Sequence, residues 1–149
     1  MSKKINFKYL IIGSNGLLGS KIKKNLPAKD TFCIARNFSD YNFDLSNSKK
    51  LSNLFSEYKF LNVINCVAIA NIDKCEKNKK KCKKINLDFP IFLNRLSKKK
   101  KFNLIHISSD QVYCIGNKSK YKETDKTSFT NYYSKTKYFA EKHLIKNKR

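Results

Sequence analysis

An α/β fold is predicted for this chain, a doubly wound parallel sheet of about five strands, on three observations. Apolar runs of strand length alternate with segments whose apolar residues recur at helical spacing. The fourth of these runs is almost unbroken, as in an interior parallel strand covered on both faces. The first run passes directly into a glycine turn and a helix pattern: in YLIIGSNGLLGSKIKKNL (residues 9–26), Tyr9, Leu10, Ile11 and Ile12 precede Gly13, Gly16 and Gly19, and Leu18, Ile22 and Leu26 follow at helical spacing. The chain has only four glycines, and three lie in this turn. Gly13 suits the tight turn, Gly16 leaves room for a pyrophosphate to approach the backbone, and Gly19 lets the helix pack closely on the strand. The helix N-terminus adds N–H groups and the positive end of its dipole. The spacing is GxxGxxG, where GxGxxG is commoner, and its context reads as a Rossmann-type dinucleotide site.

The other elements follow in order. Pro27 stops the first helix, and TFCIAR (31–36) reads as the second strand. At its end an acid binds an adenosine ribose in this type of fold, whereas an arginine suits a 2′-phosphate, so Arg36 favours NADP(H) over NAD(H). A short third strand includes NFDL (42–45), followed by Ser46 or Ser48 as the N-cap of a helix with Leu51, Leu54, Phe55 and Tyr58 on one face. LNVINCVAIA (61–70) is the fourth strand. Residues 83–97 read as a helix with Ile85, Leu87, Phe89, Phe92, Leu93 and Leu96 apolar and with Pro90 as a break or kink. FNLIHISSD (102–110) is the fifth strand, ending in hydroxyls at the edge where such sheets bind ligands. A polar loop with Gly116 leads to a last helix over residues 131–149, packed through Phe139, Ala140 and Leu144, with Lys and Arg crowding its C-terminus. No repeat or linker interrupts the 149 residues, which amount to one domain.

Composition narrows the class. The start of the chain carries no signal-peptide pattern, and no apolar stretch approaches the roughly 20 residues that cross a bilayer, so a cytoplasmic protein without a membrane span is expected. The five cysteines (Cys33, Cys66, Cys75, Cys82, Cys114) are odd in number and form no CxxC pair. They read as free thiols, and with His106 and His143 they share no metal-ligand spacing. The net charge of +22 is almost all lysine: 30 Lys against 3 Arg. Lys, Asn, Ile, Phe and Tyr, which share A/T-rich codons, make up 80 of the 149 residues, so base composition accounts for the charge better than a nucleic-acid surface does. The runs at residues 77–84 and 98–101 flank a predicted helix and read as solvated faces. The excess charge still attracts an anionic substrate.

The chemistry-bearing residues lie late in the chain. Tyr133 and Lys137 are one helical turn apart and emerge on one face of the last helix. An ammonium beside a phenol favours the phenolate, as a proton donor to a carbonyl requires near neutral pH. Ser108 and Ser109, at the end of the preceding strand, supply hydroxyls that can polarise the same carbonyl.

With GSNGLLG (13–19), VINCVAIANIDKCE (63–76), INLDFP (85–90), HISSDQVY (106–113), YKE (121–123) and YSKTKYFAE (133–141) in this order across nearly its whole length, the chain resembles the extended short-chain dehydrogenase/reductase family, above all its sugar-nucleotide-binding members. The resemblance implies that Gly13, Asn15, Gly16, Leu17 and Gly19 line a pyrophosphate, that Asp44 and Leu45 lie by an adenine, and that Ala68 and Ala70 run along the cofactor. It implies that Asn86 contacts the cofactor from the following helix. Ser109, Tyr133 and Lys137 take the catalytic positions, with Ser109 hydrogen-bonding a keto oxygen, Tyr133 protonating it, and Lys137 holding the nicotinamide ribose and tuning the tyrosine. The implied activity is NAD(P)H-dependent reduction of a 4-keto nucleotide sugar, and a homodimer is compatible with it. Two departures stand out. Cys114 and Ile115 replace an Asp-Gly pair, and family members continue for about as many residues again, through a lobe that grips the sugar nucleotide. The chain is therefore expected to be the cofactor half, lacking that C-terminal lobe. A non-catalytic NADP(H)-binding module, or an epimerase or dehydratase of the same family, are the alternatives.

Overall fold

A computed structural model describes residues 5–36, 39–42, 48–113 and 120–147. Strands β1 (Ile5–Ile12), β2 (Thr31–Ala35), β3 (Tyr41–Asn42), β4 (Tyr58–Asn65) and β5 (Asn103–His106) form one parallel sheet in the order β3-β2-β1-β4-β5. Since β3 pairs over only two residues, the sheet has four full strands and a short edge pairing. From β1 the chain moves outward to β2 and β3, then returns to β4 on the other side of β1. Doubly wound sheets bind ligands at such a reversal, outside the carboxyl ends of the strands. Six helices are described: α1 (Leu17–Asn25), α2 (Ser48–Glu57), α3 (Ile72–Lys77), α4 (Lys79–Lys83), α5 (Phe89–Lys100) and α6 (Tyr132–Lys146). Among the described residues, no helix is long and apolar enough to cross a membrane.

The chain forms two compact units, Met1–Val67 with Arg95–Ile107 and Ala68–Asn94 with Ser108–Arg149. The first is built on the sheet. Leu10, Ile11, Cys33, Ile34, Val63 and Ile64 are buried where β1, β2 and β4 run side by side. Phe7, Phe32, Tyr58 and Phe60 pack ring on ring, and Phe55 of α2 extends the group to Phe60 and Phe102. The buried face of α2 is Leu51, Leu54 and Phe55. Tyr58, expected on that face, is instead the first residue of β4 and pairs with Ile5, because β1 offers a backbone partner along its whole length. The fourth strand accordingly runs over residues 58–65, earlier than the expected 61–70. It stops where the Asn65 side chain takes over as a turn acceptor, receiving the Val67 N–H at 3.2 Å. The fifth strand is likewise shorter than the apolar pattern suggested and ends at His106.

The second unit holds the larger departures. The lysine run at 77–84 is not simply a solvated flank, since α4 lies within it and Cys82, like Cys75 of α3, is wholly buried. Each short helix starts on an asparagine cap: Asn71 accepts the Lys74 N–H at 2.8 Å, and Asn78 accepts the Lys81 N–H at 2.9 Å. Pro90 does not break the next helix. A π turn over Lys84–Asp88 precedes it, with the Phe89 N–H reaching back to Lys84 O, and Pro90 falls in the first turn of α5. α6 opens on a capping box in which Asn131 accepts the Ser134 N–H at 2.8 Å and the Ser134 hydroxyl accepts the Asn131 N–H at 3.2 Å.

Candidate functional site

The glycine turn follows β1 directly. Gly13 adopts φ +88°, a conformation that strains any side chain, and its N–H donates to Ile34 O at 2.8 Å. A Cβ built on Gly19 falls 2.1 Å from Gly13 O, so α1 can lie this close to the turn only without one. Gly16 is exposed and caps α1 without a side-chain hydrogen bond, leaving the first-turn N–H groups outward beside exposed Asn15 and Leu17. An exposed glycine turn at a helix N-terminus can receive an anionic group. Arg36 follows the last residue of β2 and is exposed. Asp44 and Leu45, like Cys114, lie outside the described residues.

At the carboxyl end of β4 the fold uses a residue the sequence reading passed over. Asn65 is wholly buried, and besides receiving the Val67 N–H it donates to His106 Nδ1 at 3.1 Å, tying the ends of β4 and β5 together. A single amide in an otherwise apolar strand was the available signal, since a buried polar residue calls for a partner.

In the second unit, Ala68 and Ala70 are exposed while Ile69 between them packs on the cluster of Cys75, Cys82 and Tyr133. Asn86 holds this loop by both ends of its amide. Its Oδ1 accepts the Ile69 N–H at 2.8 Å, and its Nδ2 donates to Ile69 O at 3.0 Å and to Cys82 Sγ at 3.4 Å. With no exposed surface, Asn86 acts here on the loop backbone. Asn86→Leu is expected to destabilise the protein by about 2 kcal/mol, because it leaves the Ile69 N–H unsatisfied and its carbonyl with only the weak Cys75 S–H donor. Faster amide exchange at Ile69, together with a lower urea midpoint, checks this. Burial, then the neighbouring Cys82, pushes the Cys75 thiol up to about 12, so it behaves as an inert part of the core.

Ser109 caps the turn Asp110–Val112: its hydroxyl accepts the Gln111 N–H at 3.2 Å and donates to Asp110 Oδ1 at 3.2 Å. Tyr133 and Lys137 face inward on α6, with exposures of 8% and 2%. Burial lowers Lys137 to about 8, and the Glu141 carboxylate opposes that shift. Glu141 also accepts the Ser108 hydroxyl at 2.8 Å, and Glu76 accepts the Tyr132 N–H at 2.6 Å at the start of the helix. Neither glutamate stood out in the sequence, where both look like ordinary solvent-facing acids.

A parallel sheet reversing at β1, with a glycine turn at the reversal, defines the class: a doubly wound, Rossmann-type α/β protein. The chain belongs to the RmlD substrate binding domain family, whose model matches residues 7–149. It is 26% identical over 145 residues to a Haloferax volcanii protein named "Probable low-salt glycan biosynthesis reductase Agl14", covering 92% of this chain and 48% of that one. Among solved structures, a dTDP-4-dehydrorhamnose reductase from Clostridium acetobutylicum is 31% identical with a TM-score of 0.81, covering 94% of this chain and 49% of that one. The Bacillus anthracis dTDP-4-dehydrorhamnose reductase, solved in complex with NADP, shares the fold at 22% identity with a TM-score of 0.81, covering 97% of this chain and 51% of its own. The chain thus spans about half the length of the relatives it matches.

Proposed function

We propose that this chain supplies the cofactor-holding and proton-donating part of an NAD(P)H-dependent reductase acting on a 4-keto nucleotide sugar. One observation carries the reading: Lys137, a cationic residue, is held 98% buried one helical turn from Tyr133. Burying an ammonium opposes stability, so a role in chemistry explains it better than packing does.

The bound nicotinamide supplies hydride to the keto carbon. The residues of the chain do the rest. The exposed turn at residues 15–17, at the N-terminus of α1, receives the pyrophosphate, while Gly13 and Gly19 keep the turn shallow. Ala68 and Ala70 give a small-residue surface along the cofactor, and Asn86 acts through the position of Ile69 between them. Arg36 meets the 2′-phosphate, which favours NADP(H). Ser109 turns its hydroxyl from Asp110 to donate to the keto oxygen, Tyr133 donates the proton to it, and the Lys137 ammonium orients the ribose.

The test is consumption of NADPH with dTDP-4-keto-6-deoxy-L-mannose. Tyr133→Phe is expected to slow it by roughly 10²–10⁴-fold, as loss of a general acid does. An unchanged rate removes Tyr133 as the donor. Turnover without net NADPH loss moves the reading to an epimerase, and NADPH binding without turnover across a panel of 4-keto sugars moves it to a binding module.

A further inference from the structure

Glu141 lies one helical turn beyond Lys137 on α6, and lysine and glutamate four residues apart share a helix face. Its half-buried carboxylate accepts the Ser108 hydroxyl at 2.8 Å. The next residue is Ser109, whose own hydroxyl is set by the Gln111 N–H and Asp110. A single carboxylate is therefore placed between the loop that presents Ser109 and the helix that presents Lys137. We propose that Glu141 is a positioning residue, which fastens the Ser108–Ser109 loop to α6 through the Ser108 hydroxyl and keeps the Lys137 side chain an ammonium. The assignment rests on the function proposed above, where that ammonium and the Ser109 hydroxyl are the groups that need holding.

Among the described residues, no other charge near α6 is placed for the task. Glu76 of α3 is engaged by the Tyr132 N–H and by Lys79, and Lys83 pairs with Asp88. Asp73, Lys84, Asp110 and the lysines of α4 are exposed, as are Lys135, Lys142 and Lys146 on α6 itself. His143, half-buried two residues beyond Glu141, carries no negative charge that could hold an ammonium. Of all these groups, only Glu141 raises Lys137 against the downward pull of burial.

The test follows the Lys137 side chain by NMR in ε-¹³C-lysine protein, its signal assigned by loss in Lys137→Met, alongside NADPH binding by fluorescence from pH 6 to 10. Glu141→Gln keeps an acceptor for Ser108 and removes only the charge. The Lys137 titration midpoint is expected to fall by on the order of one unit, and NADPH affinity to be lost at correspondingly lower pH. Ser108→Ala keeps the charge and removes the bond. In this variant the midpoint stays while the amide signals of Ser109 and Gln111 shift. A Lys137 titration identical in wild type and Glu141→Gln overturns the proposal, as do unmoved Ser109 signals in Ser108→Ala. Wild-type protein that fails to bind NADPH at any pH, with the Lys137 midpoint still falling in Glu141→Gln, instead overturns the cofactor reading and leaves the electrostatic link standing.

Discussion

Lys137→Met is expected to make the protein more stable at pH 7 and, on the proposed function, to weaken its binding of NADPH. Folding moves the Lys137 ammonium from its ordinary 10.5 to about 8 through burial. Below pH 8 both folded and unfolded chains carry the proton, and the folded state bears the whole cost of burying it, about 3 kcal/mol at 1.36 kcal/mol per unit. Between pH 8 and 10.5 the unfolded chain binds more protons than the folded one, so wild-type stability rises with pH across that window. Methionine keeps the apolar stem and carries no charge. Its advantage is therefore expected to be full at pH 7, to shrink from pH 8 upward and to vanish above 10.5. Urea unfolding of both proteins at pH 7 and pH 10 measures it. An equal difference at the two pH values shows that packing, not charge, separates them. NADPH fluorescence on the same samples reads the functional half of the expectation.

Gly19→Ala carries the second large effect. Its Cβ meets Gly13 O at 2.1 Å, Gly13 C at 2.9 Å and Ser14 Cα at 3.1 Å, all backbone atoms that cannot rotate aside. Either α1 lifts from the turn or the turn distorts, and a loss of about 3 kcal/mol or more is expected, at the top of the range for overpacking. Gly16→Ala makes a useful contrast, because among the described residues its Cβ meets just Gly13 O, at 3.3 Å. It is expected to leave stability within about 1 kcal/mol while weakening NADPH binding, since the proposed function puts a pyrophosphate where the added methyl stands. Denaturant midpoints and cofactor fluorescence separate the two variants. Similar midpoints for both disprove the close-packing role of Gly19.

The order of elements, the glycine turn and the Tyr133–Lys137 spacing were legible in the linear chain, because strand, turn and helix are local patterns that residues within one or two turns of each other encode. Element ends were less so. The helical spacing of Leu51, Leu54, Phe55 and Tyr58 continues past the point where α2 stops, and only β1, more than forty residues away in sequence, decides that Tyr58 joins a strand. The apolar run at 61–70 is one stretch by composition and two by structure, since pairing ends at Asn65 while hydrophobicity does not. In the same way, α3 and α4 hide in a lysine-rich segment whose buried side is a pair of cysteines.

What the sequence determined by itself is the class of fold, the glycine turn between β1 and α1, and the helical-turn spacing of Tyr133 and Lys137. The tertiary structure alone decided which polar groups are taken into the interior and what they do there: Asn65 joining two strand ends, Asn86 gripping the Ile69 backbone, Lys137 losing its water, and Glu141 receiving Ser108 from 33 positions away. The reason is physical. Propensity and periodicity act between near neighbours along the chain, whereas desolvation and hydrogen-bond partnership depend on what the folded backbone brings alongside.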